Sequence, residues 1–440
     1  MRHPDTASIP NGSDPTPKHA HELLVEDALL DGDSPFRHGT ARAALAYPTF
    51  RRVYLGSLLS NIGSWMQNVI LGAYVYHLTG SASSVALITL AQLGPLLVLS
   101  MVGGAIADRF DRRKVLILVS LEQLLFSLAI AVLVTQPSPS LGLLLTAVLA
   151  IGIGQAIYAP SYSALIPTLV APIDMPGAIS LNSANMNLSR VIGPAIGGVL
   201  FAKVGASWVF LGNAFTYLFV IAALWGLHFE RPERPENEGR LQGLLDGLRV
   251  AARDGVIGRC LSTMVLFSFF CLPVAVLMPV VAHDNLGLEE RSAAYGFLYA
   301  SFGLGAVVGA LSIGTFLAHR DLRRIVRYGL GGFAVSLATF ALLRVPALGY
   351  PVVFILGCCY FATVTSLSTV LQQQLDDAVR GRVMALWIMA FGGTVPIGAM
   401  VAGPVSDLVG ITAVLVAGAV VAAALVLYAD LRPDPSAPDA

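Results

Sequence analysis

Two charged side chains lie inside long apolar stretches of this sequence, where an ionised group is costly unless it has a partner or a watery cavity. Glu122 is the one charged residue between positions 115 and 135, and Arg190 lies near the middle of the stretch 177–203. At about 1.5 Å rise per helical residue, the two reach similar depths and are candidate partners. A proton-coupled or substrate-coupled pair, a static salt bridge and separate snorkelling all remain open. Asp407, near the end of a later apolar stretch, is the second acid considered for proton coupling.

A dense group of charges separates the apolar stretches 82–107 and 115–135. Gly104, Asp108 and Arg109 begin it, and Arg112 and Arg113 follow within five residues. Such a segment must lie in water beside a bilayer, so we interpret it as a tight turn between two membrane helices. The basic residues alone could be topology anchors, but anchoring requires neither Gly104 nor Asp108.

Polar side chains also recur inside two other apolar stretches. Asn61, Trp65 and Asn68 are spaced so that they share one helical face. Gln155 and Tyr158 lie in a later stretch. A watery cavity beside these helices would accommodate such side chains. Hydrogen bonding between helices is an equally good explanation.

Glycines and prolines follow Arg190 at regular spacing, as Gly193, Pro194, Gly197 and Gly198. Glycines let helices approach closely, and a proline inside a helix frees a carbonyl group and bends the helix. This stretch is therefore predicted to pack against a neighbour and to flex.

These residues belong to a chain with the composition of a polytopic membrane protein. Its 440 residues are 55% hydrophobic and 12% charged, with a mean hydropathy of +0.73; soluble domains carry about 25% charged residues. A membrane helix needs about 20 apolar residues. The apolar stretches predict an all-α protein with twelve transmembrane helices, near residues 52–78, 82–107, 114–135, 141–165, 177–203, 206–228, 257–283, 293–318, 324–343, 349–372, 382–407 and 410–430.

One long charged interruption divides the prediction into two six-helix bundles, as in a transporter with two parallel halves. Five segments follow: a disordered cytoplasmic tail, an N-terminal bundle, a cytoplasmic linker with an amphipathic helix, a C-terminal bundle and a cytoplasmic C-terminal tail. Their ranges are 1–47, 48–228, 229–256, 257–430 and 431–440. We expect no cleavable signal peptide, because the first 45 residues lack an apolar core segment.

The distribution of basic residues predicts the orientation. With the N-terminus inside, 23 of the 27 lysines and arginines fall on the cytoplasmic side and three on the other. The positive-inside rule then places both termini in the cytoplasm and the chain in the plasma, or inner, membrane.

Enzymatic chemistry and cofactors are not predicted. The four cysteines, Cys260, Cys271, Cys358 and Cys359, lie in apolar stretches without metal-ligand spacing. There is no Walker lysine motif that would cradle ATP phosphates, and no nucleophile motif. We expect neither a metal nor a nucleic-acid partner, only a small-molecule substrate, the bilayer and a functional monomer.

The pattern Gly104 to Leu116 resembles motif A, the loop between helices 2 and 3 of the major facilitator superfamily. That resemblance implies the two-bundle fold with helices 1, 4, 7 and 10 around a central cavity. The polar groups of helices 1 and 4 thereby become candidates, with Arg190, for lining the cavity; they are Asn61, Trp65, Asn68, Gln155 and Tyr158. It also implies a conformational latch, in which Asp108 and its basic loop face the start of helix 11 at Gly381, Arg382 and Val383.

Two further patterns resemble one part of that superfamily. The stretch from Arg190 to Gly198 resembles the helix 5 motif of its exporters. With the turn Thr79-Gly80-Ser81 and the sequence Arg380-Gly381-Arg382, it resembles the subgroup of enterobactin-type siderophore exporters and macrolide efflux proteins, over residues 48–430. A plain charge anchor would explain the two arginines but not Gly381.

These resemblances imply a secondary transporter that exports a small amphiphilic molecule by alternating access, with proton antiport. The substrate class stays open between drug-like compounds and one dedicated siderophore or metabolite. A transport-inactive scaffold or signalling protein is the alternative of another class, and would tolerate Asp108→Asn and Arg190→Ala.

Overall fold

The computed structural model describes residues 36–227, 248–252, 254–289, 291–317 and 319–431, and leaves the side chains of Ser100, Met101, Asp108, Asp377 and Ala378 undescribed. The described residues form helices and connecting turns, with no strand among them. Six long helices make the first half: α1 Pro48–Thr79, α2 Ala82–Arg109, α3 Arg112–Leu133, α4 Leu141–Leu165, α5 Met175–Val204 and α6 Ala206–Leu224.

Six further helices make the second half, two of them interrupted. Helix α7 consists of Gly255–Phe270, Pro273–Val276 and Met278–Asp284, followed by α8 Ala293–Gly314, α9 Leu322–Leu342 and α10 Pro346–Gln373. Helix α11 consists of Asp377–Ile388, a π-helical segment Met389–Gly393 and Thr394–Val409, and α12 is Ile411–Tyr428. The predicted all-α arrangement of twelve helices is confirmed.

Ten helical stretches of the described chain are long and apolar enough to cross a bilayer. Helices α1 and α5 have 32 and 30 residues, which is ample length, but they carry more polar residues. Helical backbone satisfies its own hydrogen bonds, which hydrocarbon requires. The polar residues of α1 and α5 are therefore tolerated where they face other helices or a cavity.

The two halves repeat one packing scheme. In the first half α2 packs on α4, and α3 packs on both α4 and α6; in the second half α8 packs on α10, and α9 packs on both α10 and α12. Contacts between the halves follow the same symmetry, because α2 meets α11 and α8 meets α5. Each helix of the first half therefore has an equivalent helix in the second half, six helices later in the chain.

Two faces of the molecule can be defined by the helix ends. The terminal face holds the start of α1 and the end of α12, and the opposite face holds the turn between α1 and α2. In that turn Gly80 adopts a φ of 59° and the hydroxyl of Ser81 caps α2 by accepting from the N–H of Ser84. On the terminal face, the carboxylate of Asp111 caps α3 by accepting from the N–H groups of Arg113 and Lys114.

The prediction of one continuous helix over residues 257–283 is wrong. The helix breaks around Leu272 and again at Leu277, and a proline lies at the start of each new piece, at Pro273 and Pro279. Proline lacks the N–H group for the helical hydrogen bond and clashes with the carbonyl four residues earlier. Both interruptions lie in the part of α7 that faces the other half.

The predicted tail 1–47 needs a second correction, since its last residues are folded. Residues 41–46 form the short helix Ala41–Ala46, and the buried carboxylate of Asp174 accepts hydrogen bonds from the N–H of Gly39 at 2.8 Å and the hydroxyl of Tyr47 at 2.9 Å. Burial and this hydrogen bond raise the pKa of Tyr47, so the phenol remains a donor. Residues 1–35, most of the linker and residues 432–440 lie outside the described chain.

Candidate functional site

A cavity of about 300 Å³ lies between the two halves, at mid-height of the helices. Its walls come from α1, α2 and α5 of the first half and from α7, α8, α10 and α11 of the second. The broken part of α7 contributes Ala275, Val276 and Pro279, and the π-helical segment of α11 contributes Phe391 and Gly392. Irregular backbone at membrane depth is tolerated where it lines a cavity. The interruptions of α7 and α11 both lie in the wall of this cavity.

Arg190 is the charged residue of the cavity wall among the described lining residues. Its guanidinium carbon lies 5.1 Å from the ring centre of Trp65 and 4.5 Å from that of Phe361. Trp65 belongs to α1 and Phe361 to α10, so a cation from α5 is held between aromatic faces of both halves. Such cation–π contacts contribute about 0.5–2 kcal/mol each. The Nη1 atom of Arg190 is buried without a hydrogen-bond partner among the described residues.

The glycines that follow Arg190 make its position possible. A Cβ atom on Gly193 would lie 2.7 Å from the carbonyl oxygen of Ile62 on α1, and one on Gly198 would lie 2.6 Å from the Cα atom of Gly296 on α8. A Cβ atom on Gly303 of α8 would lie 2.9 Å from the carbonyl oxygen of Arg190 itself. Helix α5 therefore packs closely on α1 within its own half and on α8 across the boundary.

The predicted cavity residues divide into two groups. Trp65, Asn68 and Arg190 line the cavity. Asn61 instead donates to Asn185 Oδ1 at 3.1 Å, and Gln155 accepts from Gln123 at 3.2 Å.

Tyr158 is the third predicted residue outside the cavity wall. It stacks on Tyr162, with ring centres 5.8 Å apart. Tyr162 belongs to the same helix, α4. Asn61 and Gln155 therefore fit the alternative of hydrogen bonding between helices, whereas the aromatic contact of Tyr158 lies within α4. Helix α4, expected beside the cavity, does not contribute to this wall.

Sequence reasoning did not identify the aromatic residues of α8 as cavity residues. Tyr295, Tyr299 and Phe302 all line it. Their spacing of four and three places them on one helical face, which is a visible signal. It was overlooked because α8 was not among the helices expected around the cavity.

The predicted pairing of Glu122 with Arg190 is wrong. Both side chains keep a buried polar atom without a hydrogen-bond partner in the described chain, Oε2 of Glu122 and Nη1 of Arg190. Glu122 packs instead against Gly154 of α4. Similar depth along two helices does not bring side chains together when they face different neighbours.

Glu122 adjoins a group of polar side chains inside the first half. Asn213 donates to Gln67 Oε1 at 2.9 Å, and the hydroxyls of Ser64 and Tyr217 lie 3.3 Å apart. Glu122 lies within electrostatic range of Tyr217. This group joins α1, α3 and α6, and its α1 members neighbour the cavity residues Trp65 and Asn68 in sequence.

Asp407 forms a polar contact between the halves at the opposite face. Its carboxylate accepts from the backbone N–H groups of Ala82 at 2.7 Å and Ser83 at 3.0 Å, and from the hydroxyls of Ser81 and Ser83. All four donors belong to the start of α2, where the helix dipole favours a negative charge. Tyr76 and Asp284 add a second polar contact on this face, at 2.8 Å.

The predicted latch lies on the terminal face. Arg112, the first residue of α3, donates to the carbonyl of Ala164 at 3.0 Å, which ties the start of α3 to α4. A Cβ atom on Gly381 would meet nothing within 4 Å. The side chain of Asp108 is outside the described residues, so its contact with Arg382 stays a prediction, as do the roles of Gly104, Arg109, Arg113 and Arg380.

Two six-helix halves around one mid-height cavity define a membrane transporter of the major facilitator type, rather than an enzyme. Residues 39–437 match the family described as transmembrane secretion effector. The chain belongs to this family.

Curated relatives agree with that assignment, and solved structures share the fold. The chain is 30% identical over 350 residues to the enterobactin exporter EntS of Shigella boydii serotype 18 (strain CDC 3083-94 / BS512), covering 78% of this chain and 81% of the relative, and equally so to EntS of Escherichia coli O1:K1 / APEC. The nucleoside transporter NupG shares the fold, with a TM-score of 0.66 and 14% identity over 86% of this chain and 96% of that one. A bacterial homologue of the lysosomal transporter Spinster does too, with a TM-score of 0.67 and 16% identity over 88% and 99%.

Proposed function

We propose that this protein is a secondary active transporter that exports a small amphiphilic molecule from the cytoplasm in exchange for protons. The cavity carries the proposal, because it combines one cation and a few polar groups with a mainly apolar and aromatic wall built from both halves. Such a wall suits a substrate with one polar end. The enterobactin exporters among the relatives support the direction of transport.

The terminal face is cytoplasmic in this proposal. The support is the number of basic residues, 23 of 27, on segments that belong to that face. One chain supplies the described wall of the cavity, which supports a functional monomer.

Alternating access follows from the contacts between the halves. Asp407 with the start of α2, Tyr76 with Asp284, and Gly198 with Gly296 all join the halves between the cavity and the opposite face. We call these three contacts the outer gate, and we infer that the gate is closed in this structure. A rocking motion of the halves that opens it would release substrate outside.

Glu122 is the proton carrier that the structure favours over Asp407. An ionised carboxylate is disfavoured in an apolar interior unless its oxygens are hydrogen-bonded, and Oε2 of Glu122 is not. Asp407 has four donors at a helix start, which stabilise its ionised form. Protonation of Glu122 would act on the cavity through α1, which carries both the polar neighbours of Glu122 and Trp65.

A transport assay in cells tests this function. Cells that express the protein are loaded with a fluorescent amphiphile, and its accumulation is followed with and without a protonophore. We expect extrusion by the wild type, loss of extrusion with the protonophore, and loss in Arg190→Ala and Glu122→Gln. Arg320→Gln, an exposed arginine on the terminal face, is the matched control. Extrusion that survives the protonophore would rule out proton coupling.

A dedicated siderophore exporter is the second candidate, supported by the printed function of the relatives, enterobactin export. Supernatants of iron-starved cells with and without the protein distinguish the two. A siderophore that disappears from the medium on deletion, while unrelated amphiphiles are not extruded, supports the dedicated function. A transport-inactive scaffold predicts no change in either assay.

A further inference from the structure

The two sides of the cavity differ in chemistry. The first half contributes Arg190 and the polar side chains of Asn68, Thr89 and Gln92. The second half contributes mainly aromatic rings and apolar side chains. No carboxylate lies among the described residues that line the space, so nothing in the described wall neutralises Arg190.

The guanidinium of Arg190 is prepared for an anion. Arginine stays protonated in proteins and offers several N–H donors in one plane. Trp65 and Phe361 lie within cation–π range, at 5.1 and 4.5 Å, but aromatic rings are poor acceptors for these donors. Nη1 has no hydrogen-bond partner in the described chain. A planar anionic group in the cavity would accept from it, and charge-assisted pairs of this kind are stronger than neutral ones.

Aromatic rings form a continuous surface beside this cation. Tyr360 stacks with Phe302 at 5.8 Å and with Phe391 at 6.4 Å between ring centres, and the ring planes are within 20° of parallel. Phe361, next to Tyr360 in sequence, is one of the two rings that face Arg190. A flat ring placed against this surface would carry its substituent toward the guanidinium.

We propose that the cavity selects planar aromatic anions, such as an arenecarboxylate or a phenolate, with the anionic group on Arg190 and the ring against Tyr360, Phe302 and Phe391. The inference rests on the proposed function, since it defines the substrate of the same cavity. A volume of about 300 Å³ suits a core of one or two rings. Aromatic cations are disfavoured, because they would meet the charge of Arg190 without a carboxylate to offset it.

Binding to the purified full-length protein in lipid nanodiscs tests the proposal without any proton gradient. The probes are 2-naphthoate, 2-naphthamide with the same rings and no charge, 2-naphthylmethylammonium with the opposite charge, and cyclohexanecarboxylate with the charge and no aromatic ring. Calorimetry on the wild type is expected to give about tenfold or tighter binding of 2-naphthoate than of each other probe. Equal binding of naphthoate and naphthamide overturns the proposal, and this comparison needs no variant.

Variants locate the site. Arg190→Gln is expected to remove the preference for naphthoate over naphthamide, and Arg190→Lys to keep part of it. Tyr360→Leu is expected to weaken the binding of naphthoate and the binding of naphthamide by the same factor. Arg320→Gln should leave all four affinities unchanged. Naphthoate binding that is unaffected by Arg190→Gln overturns the assignment.

The same probes separate this inference from the proposed function. Naphthoate that binds through Arg190 but is not moved by proteoliposomes under a proton gradient supports the site and contradicts export. Proton-driven extrusion of amphiphilic cations, with no Arg190-dependent binding of naphthoate, contradicts the anion site and leaves export intact.

Discussion

Asp407, two residues before the end of α11, accepts a hydrogen bond of 2.7 Å from the backbone N–H of Ala82 at the start of α2. A side chain of one half thereby caps a helix of the other. Similar helix-capping contacts within one half would stabilise only that half, whereas this one must break when the halves separate at the opposite face. In the proposed transport cycle, Asp407 would therefore act at the contact between the halves, and Glu122 is the proposed proton carrier.

Replacing Asp407 with asparagine should loosen the outer gate. The change removes the negative charge at the start of α2, and charged hydrogen bonds contribute about 1.5–3 kcal/mol, less when exposed. We expect a roughly fivefold shift toward the state that is open at the opposite face. Electron–electron distance measurements between spin labels at Thr135 and Arg344 would detect it, in a variant whose native cysteines are replaced.

The control for that experiment is Glu289→Gln, an exposed carboxylate in the loop between α7 and α8 on the same face. It should leave the distance distribution unchanged. An unchanged distribution in Asp407→Asn as well would show that this contact does not hold the gate.

A methyl group at Gly198 should impair the packing of the halves. In Gly198→Ala the new Cβ atom would lie 2.6 Å from the Cα atom of Gly296, which is backbone and cannot move aside. We expect a loss of about 1–3 kcal/mol of stability and transport at least ~10-fold slower, because the motion of α5 against α8 is obstructed. Thermal unfolding in detergent and flux in proteoliposomes measure the two effects.

Gly331→Ala on α9 is the matched control, since its nearest neighbour would be a Val426 methyl at 3.9 Å. Alanine in a helix with free space is expected to stabilise by up to ~1 kcal/mol. If both variants behave alike, close approach at Gly198 is not the cause of any defect.

Glu122→Gln should separate proton coupling from substrate binding. Glutamine mimics the protonated carboxyl group in shape and hydrogen bonding but cannot release a proton. We expect the substrate flux that a pH gradient drives in proteoliposomes to fall at least ~10-fold. Exchange of labelled for unlabelled substrate should continue at a similar rate. Glu289→Gln again serves as the control, and gradient-driven flux that persists in Glu122→Gln would assign the proton to another group.

Asp174→Ala should release the segment before α1 from the terminal face. The buried carboxylate accepts from Gly39 and Tyr47, and the loss of both bonds leaves two donors unpaired at about 1–3 kcal/mol in total. Trypsin should then cut after the exposed Arg42 several times faster than in the wild type or in Glu289→Gln. Equal cleavage rates would show that Asp174 does not anchor this segment.

Much of the fold could be derived from the sequence. The length and hydropathy of the stretches determine twelve helices, because hydrocarbon excludes an unpaired backbone, and the prolines and glycines of α5 predict close packing. Trp65, Asn68 and Arg190 were identified as cavity residues, since polar groups at membrane depth require a cavity or a partner. The prolines of α7 were visible as well, and their effect on its continuity was underestimated.

The partners of these residues were decided by tertiary structure. Position along a helix follows from counting residues, but the direction in which a side chain faces relative to other helices depends on how all twelve pack. Arg190 and Glu122 therefore face different neighbours, and Arg190 meets Phe361, which lies 171 positions further along the chain. In the sequence, Asp407 is an acid with no charged residue nearby. Only the approach of α11 to α2 gives its carboxylate four hydrogen-bond donors. Hydropathy and composition are local properties that a sequence carries, whereas contacts between the halves arise from packing over the whole chain.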